Sequence, residues 1–126
     1  MSVKYNVVER PNLSNPQAPK KFYPSIKASG RRTQRQIAET ISRISSVSTG
    51  DTMAVIEGLL TVIPQELAAG NIVELGDFGS FWLKANAEGA DTAEEVRTSQ
   101  IFTLLPRFIA GKQFKKLLAS IEFRKA

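Results

Sequence analysis

The sequence contains no cysteine and no histidine among its 126 residues. Their absence excludes disulfide bonds, a thiol nucleophile, an imidazole base and the common zinc sites, and therefore Ser-His-Asp and Cys-His catalysis. No paired-carboxylate site, phosphate loop or metal-ligand spacing stands out, so we expect no enzyme, no cofactor and no small-molecule substrate. The apolar runs are shorter than the ~18 residues that span a bilayer, and no secretory apolar segment follows Met1. We therefore expect a soluble, cytoplasmic protein with no membrane partner.

The sequence does have an excess of positive charge, and this charge is unevenly distributed. Its 17 Lys and Arg outnumber its 12 Asp and Glu, for a formal net charge of +5. Residues 1–35 hold eight bases and one acid, residues 36–105 three bases and ten acids, and residues 106–126 six bases and one acid. Basic ends therefore flank an acidic middle. Clustered bases are typical of proteins that bind polyanions, although Lys-rich ends also serve solubility alone.

The first third of the chain has the pattern of an extended segment. Apolar and polar residues alternate over residues 3–8, which predicts a strand. The proline-rich residues 11–19 predict a loop. Residues 20–26 form a second extended piece, which Pro24 restricts to a sheet edge or to the strand end.

Two helices are predicted next. Thr33 and Gln36 have the spacing of a capping box, and an apolar repeat at helical intervals follows them (Ile37, Ile41 and Ile44). The second helix runs from about Thr49 to Ala69, is capped from Ser48, and ends at Gly70. Pro64 lies inside its apolar face, so we expect one kinked helix and not two.

The remaining chain predicts a hairpin, an arm and a short basic helix. Two β-rich runs flank Gly76-Asp77 within residues 72–84, which is hairpin chemistry, and Gly79 marks a bulge or tight bend. Residues 85–99 are small, polar and acidic, and we expect them to project as an arm. A β-like run over residues 100–109, a basic helix from Gly111-Lys112 and a last short strand near residue 122 follow.

Two motifs and the order of these segments resemble one protein family. Val73–Phe81 is similar to a hairpin motif Gly-Phe-Gly-[Thr/Ser]-Phe, with Asp77 inserted into the Gly-Phe pair. Pro106–Lys116 is similar to a strand-to-helix junction Pro-x-Phe-x-x-Gly-x-x-Leu-Lys. Behind two helices of suitable length, these motifs resemble the HU/IHF family of bacterial histone-like DNA-binding proteins over about residues 33–118.

The ends of the chain resemble one divergent branch of that family. This branch, the HU-HIG type, carries an N-terminal strand extension and is sometimes fused to immunoglobulin-like domains. Residues 4–12, 19–23 and 89–95 carry the likeness. The resemblance implies an N-terminal extension at residues 1–32 and an HU-like DNA-binding domain at residues 33–126, with the arm at about residues 85–99.

The resemblance also implies an α+β fold in an HU/IHF-like intertwined dimer. Two N-terminal helices pack under a β-sheet saddle with a β-arm and a short C-terminal helix, preceded by the extended N-terminal segment. The apolar residues of the helices and the hairpin support the dimer in part, because their surface exceeds what a thin layer of two helices and one sheet would cover. A monomer core closed by the extension is the alternative. The expected homodimer core comprises Ile56, Leu59, Leu60, Ile63, Phe78, Phe81 and Phe108.

The arm departs from the family pattern. Family members that kink DNA carry a proline at the arm tip and several bases along the ribbon. Residues 85–99 contain no proline and have four acids against one base, Arg97. Acids on a phosphate-facing ribbon repel DNA. The resemblance implies DNA contacts at the basic junction and last helix, with further bases on the ribbon and in the extension. The expected DNA contacts are Arg107, Lys112, Lys115 and Lys116, joined by Lys84 and Arg97 from the ribbon and by Lys20, Lys21, Lys27, Arg31, Arg32 and Arg35 from the extension.

Two functions are consistent with these observations. The first is a sequence-independent, architectural, nucleoid-associated protein that contacts double-stranded DNA through a basic saddle, with weak or no kinking. The alternative is an HU-scaffold dimer that serves as a structural or protein-interaction module and has lost high-affinity DNA binding. The lysines of the C-terminal helix also have an alternative interpretation as the solvated face of an amphipathic helix. Trp82 and Tyr23 have two interpretations, as base-stacking platforms or as edge aromatics.

Overall fold

The computed structural model describes residues 1–126, apart from the side chain of Phe102. The chain forms two compact units, one of residues Met1–Thr33 together with Leu117–Ala126, the other of residues Gln34–Lys116. The predicted domains, 1–32 and 33–126, stay a prediction. In chain order the elements are β1 (Ser2–Arg10), β2 (Lys21–Lys27), α1 (Gln34–Ile44), α2 (Thr49–Ala68), β3 (Val73–Glu74), β4 (Gly79–Ala87), β5 (Ile101–Ala110), α3 (Lys112–Ala119) and β6 (Glu122–Lys125).

The first unit contains a three-stranded sheet in the order β2-β1-β6. Strand β2 is antiparallel to β1, with Pro24 opposite Val7, and β6 is parallel to β1, with Phe123 opposite Val3. The predicted strands at both ends of the chain are confirmed. Pro24 lies on an edge strand, as expected. Proline has no backbone N–H, and on the open side of an edge strand none is needed for pairing.

The second unit begins with the two predicted helices. The Ser48 hydroxyl accepts a hydrogen bond from the Asp51 backbone N–H at 3.0 Å, which confirms the predicted cap of α2. The helix continues through Pro64 and ends before Gly70, whose φ is +90°. A single helix is therefore confirmed, while the kink at Pro64 stays a prediction.

The helices cover little of their apolar surface within one chain. Ala38 and Leu67 are the buried apolar residues among those described. Of the predicted α1 face, Ile37 and Ile44 are exposed and Ile41 is half-buried, whereas the neighbouring Ala38 is fully buried. The covered side of α1 is thus rotated toward Ala38 from the side that the isoleucine spacing indicated. The spacing identifies an apolar face but not which flank of it meets α2.

The second unit also contains a sheet in the order β3-β4-β5. Strands β3 and β4 form the predicted hairpin, with Val73 opposite Phe81. A short 3-10 turn over Gly76–Phe78 joins them and holds the inserted Asp77. This turn lies at the predicted Gly76-Asp77 turn. The register of β4 with β5 shifts between Asn86 and Ala87, and it is regular at Gly79.

Candidate nucleic-acid interface

An aromatic cluster joins the hairpin to the C-terminal helix. The Phe81 and Phe108 rings, opposite each other on β4 and β5, have centroids 4.9 Å apart. The Phe78 ring lies 5.5 Å from Phe108 and 5.6 Å from Phe114 of α3. The two sequence motifs, about 30 residues apart in the chain, are therefore in direct contact. Their phenylalanines orient the arm and α3 relative to each other.

Two glycines allow the backbones of these motifs to approach closely. A Cβ at Gly79 would lie 2.3 Å from the Ile109 carbonyl oxygen, and the φ of Gly79 is +147°. A Cβ at Gly111 would lie 2.1 Å from the Asp77 carbonyl oxygen. The Gly111 N–H donates to the Phe78 carbonyl at 2.9 Å. Both positions exclude any side chain, because the nearest atoms belong to backbone.

The ribbon formed by β4 and β5 has two unlike faces. Because side chains alternate along a strand, Phe81 and Phe108 share one face and Lys84 and Arg107 share the other. Lys84 lies opposite Leu105, so it is a diagonal neighbour of Arg107, about 7–8 Å away between Cα atoms. Both cations are exposed. The ribbon thus places two of the predicted DNA contacts together, opposite the aromatic cluster.

Helix α3 has the same division between an apolar and a basic side. At 100° per residue, Lys112, Lys115 and Lys116 fall within one third of the helix circumference, and Phe114 lies on the opposite side. The three lysines are exposed, and Phe114 is half-buried in the aromatic cluster. The packing of Phe114 therefore directs the lysines away from the apolar core.

The arm tip does not add to this set of cations. The Arg97 guanidinium donates hydrogen bonds to the backbone carbonyls of Glu94 and Val96. The Gln100 side chain donates to the Glu88 and Gly89 carbonyls at 3.3 and 3.2 Å, which closes the loop. Arg97 thus holds the tip together, apart in the fold from the cations of the ribbon. Its predicted role as a DNA contact stays a prediction.

The two aromatic residues with alternative interpretations occupy different settings. Trp82 is half-buried and lines a groove of about 180 Å³ with Leu67 and Ile72, which favours packing over base stacking. Tyr23 is exposed on β2, with the Arg10 guanidinium carbon 5.9 Å from its ring centroid. That contact is a cation–π interaction. Arg10 is not among the binding residues predicted from the sequence.

The described residues hold no group of three or more His, Cys, Asp or Glu side chains that could bind a metal. No helix among them combines the length and the apolar character that crossing a membrane requires.

Comparison with known proteins identifies the family. The profile described as "HU domain fused to wHTH, Ig, or Glycine-rich motif" (HU-HIG) matches residues 1–125. The chain therefore belongs to the HU-HIG family. It is also similar to DNA-binding protein HU of Buchnera aphidicola subsp. Baizongia pistaciae, at 34% identity over 90 residues, which is 68% of this chain and 96% of the relative.

Two solved structures share the fold. One is an Anabaena HU–DNA cocrystal structure, with a TM-score of 0.55 and 24% identity, covering 71% of this chain and 99% of that chain. The other is a putative bacterial DNA binding protein from Bacteroides vulgatus ATCC 8482, with a TM-score of 0.65 and 12% identity, covering 98% of this chain and 47% of that chain. The predicted HU-like α+β fold is confirmed.

Proposed function

We propose that this protein is a homodimeric, sequence-independent, architectural DNA-binding protein of the bacterial nucleoid, in the cytoplasm. The observation that carries the proposal is the set of exposed cations on the ribbon and α3, opposite the aromatic cluster. We call Lys84, Arg107, Lys112, Lys115 and Lys116 the saddle cations. The relatives named as DNA-binding proteins support the same conclusion.

The surface area of the chain supports a homodimer. The chain exposes 10,527 Å², whereas a compact monomer of 13.9 kDa exposes about 6,700 Å². Two separate compact units of the same total mass would still expose only about 8,000 Å². The predicted dimer core contributes to the excess, since Leu60 is 62%, Phe78 51% and Phe108 42% exposed. A second copy that covers these side chains supplies the core that one chain lacks.

The saddle cations suit contacts with DNA phosphates. Lysine and arginine neutralise phosphates and release condensed counterions, which yields non-specific dissociation constants of about 10⁻⁴–10⁻⁶ M at physiological salt. None of the five forms an ion pair with a carboxylate among the described residues. They are thus available to phosphates, and a dimer presents each of them twice.

The arm supports weak bending. Proteins that kink DNA from the minor groove insert an apolar wedge between base steps. The loop between β4 and β5 has no proline and carries Glu88, Asp91, Glu94 and Glu95, while Arg97 is bonded to the loop's own carbonyls. With a duplex labelled at both ends, we expect fluorescence transfer to change little on binding. A strong bend would contradict this part of the proposal.

The test of DNA binding compares two helix variants with the same change in charge. Lys115→Glu alters a saddle cation, and Arg43→Glu alters an exposed cation on α1. In a salt titration of fluorescence anisotropy, K115E should make the slope of log K against log salt shallower by about 1.8, from one contact per protomer at about 0.9 each. R43E should leave the slope near that of the wild type. Equal salt slopes for K115E and R43E would show that α3 does not contact DNA.

The acidic arm favours a second candidate, a protein-interaction module on the HU scaffold. In that case the wild type shows no salt-dependent DNA binding even at low salt, which would refute the proposed function. Neutralising the arm acids would then change binding to a protein partner without creating DNA affinity.

A further inference from the structure

The sheet of the first unit has one apolar and one basic face. Residues directly opposite each other on neighbouring strands lie on the same face of the sheet. Since side chains of β1 alternate between the two faces, the register assigns each residue of β2 and β6 to one face. An apolar groove of about 510 Å³ confirms this sorting, since one face supplies nearly all of its lining, including Tyr5, Phe22 and Phe123. The opposite face, which we call the basic sheet face, carries five cations and one acid: Lys4, Arg10, Lys21, Lys27, Arg124 and Glu122.

Three of these cations form a row across the sheet. Lys4 of β1 is opposite Lys27 of β2 on one side and Arg124 of β6 on the other. Directly opposed side chains have Cβ atoms about 5 Å apart, and like charges at that separation destabilise a sheet. None of the three forms an ion pair with a carboxylate among the described residues. Glu122, the one acid of this face, is a diagonal neighbour of Lys4 and forms no ion pair with the row, so three cations there outnumber one acid, and an anionic ligand would reduce their repulsion.

The other end of the basic sheet face carries a second pair of cations. Arg10 is opposite Lys21, and both line a groove of about 620 Å³ together with Tyr23 and the loop that follows β1. The Arg10 guanidinium lies over the exposed Tyr23 ring at 5.9 Å. A planar cation held in place beside an open groove is well suited to bind a phosphate.

The two ends are separated by a distance that suits an extended polyanion. Lys4 and Arg10 are six residues apart on one strand, which is about 20 Å at 3.3 Å per residue. That length corresponds to about six base pairs along a duplex. A small anion would engage one end only, whereas a nucleic-acid backbone can neutralise both.

We propose that the basic sheet face is a second DNA-backbone contact surface, carried by the first unit, whereas the saddle cations belong to the second unit. The inference rests on the proposed function, because it takes the same duplex as the ligand. Lys4, Arg10 and Arg124 would contact DNA phosphates, together with Lys21 and Lys27 on the same face. Contacts of this kind are to phosphates and carry no sequence readout.

Adjacent residues of β6 supply a matched pair of variants. Arg124→Glu reverses a charge on the basic sheet face, and Lys125→Glu makes the same reversal on the apolar face of the same strand. Both side chains are exposed. R124E also places a carboxylate beside Lys4, so its thermal midpoint should not fall below that of K125E. Lost binding in R124E with an unchanged midpoint thus cannot be a folding defect.

The measurement is a salt titration of duplex binding by fluorescence anisotropy between about 50 and 200 mM salt. We expect R124E to weaken binding roughly tenfold per lost contact at low salt and to flatten the salt slope by about 0.9 per contact. K125E should keep a slope within error of the wild type. K115E, on the saddle, should flatten the slope independently, and its effect should add to that of R124E.

The outcomes separate this inference from the proposed function. If the wild type binds DNA and R124E matches K125E in slope and affinity, the basic sheet face is not a DNA contact, although the proposed function stands. If the wild type binds no DNA, the proposed function itself is wrong. If R124E changes only salt-dependent self-association, the surface binds the acidic arm of a second copy, and the inference is overturned.

Discussion

Leu60 of α2 provides a sharp test of the homodimer. Its side chain is 62% exposed in one chain and belongs to the predicted dimer core. In a monomer, Leu60→Gln would exchange an exposed apolar side chain for a polar one of similar helix propensity, with little effect on stability. In a dimer that covers Leu60, the same change removes apolar burial and buries an amide. The two assemblies therefore predict different outcomes.

The size of the effect follows from the exposed fraction. Full burial of a leucine contributes about 1.5–3 kcal/mol. With 62% of the residue's surface left to cover, each protomer contributes about 0.9–1.9 kcal/mol through Leu60, and the pair about 1.8–3.8 kcal/mol. Since every 1.4 kcal/mol is a factor of ten, L60Q should raise the dimer dissociation constant by about 20- to 500-fold.

The matched control is Leu13→Gln. Leu13 is 91% exposed, lies in the loop between β1 and β2, and is not part of the predicted dimer core. Sedimentation equilibrium over a dilution series measures both dissociation constants, and urea unfolding at several protein concentrations provides a second readout. A wild type that stays monomeric at every concentration would refute the reasoning. Equal dissociation constants for L60Q and L13Q would refute it as well.

Two further predictions concern the hairpin and the arm. Gly79→Ala should lower the free energy of unfolding by about 2–4 kcal/mol, because the added Cβ strains the backbone and overlaps a β5 carbonyl. Gly89→Ala is the control, since a Cβ there meets nothing within 4 Å, and it should change the free energy of unfolding by less than about 0.5 kcal/mol. Similar urea midpoints for the two variants would contradict the close approach at Gly79. Glu95→Gln in the arm should raise duplex affinity about twofold or more at low salt, an effect that shrinks as salt screens it. Glu57→Gln on α2 makes the same charge change and should have no effect; an unchanged affinity for E95Q would place the arm away from DNA.

Local patterns predicted the elements well because their causes are local. Alternation predicted β1, and the Ser48–Asp51 spacing with the later Gly70 predicted both ends of α2. Caps and turn residues act within a few positions, so their signals survive without knowledge of the fold. The covered side of α1 did not follow from the sequence, since burial of Ala38 depends on how α2 packs against it.

The candidate site was predictable in part. The resemblance indicated that the two motifs belong together, and the Phe78–Phe108 and Phe78–Phe114 contacts show how they meet. The spacing of the α3 lysines already placed them on one side of a helix. Arg97 is predicted as a contact because it is the one base of the arm. Its hydrogen bonds to arm carbonyls could not be foreseen, because they depend on the conformation of the loop.

The sequence by itself determined the chemistry available to this protein. The lack of cysteine and histidine excludes a thiol nucleophile and an imidazole base, and the basic ends and acidic middle predict that a polyanion is bound outside the arm. Only the tertiary structure decided which cations lie together. Lys4, Lys27 and Arg124 are far apart in the chain, and they share one row because strand register brings their alternate positions to the same face. Register is a property of long-range pairing, which no local pattern in one strand contains.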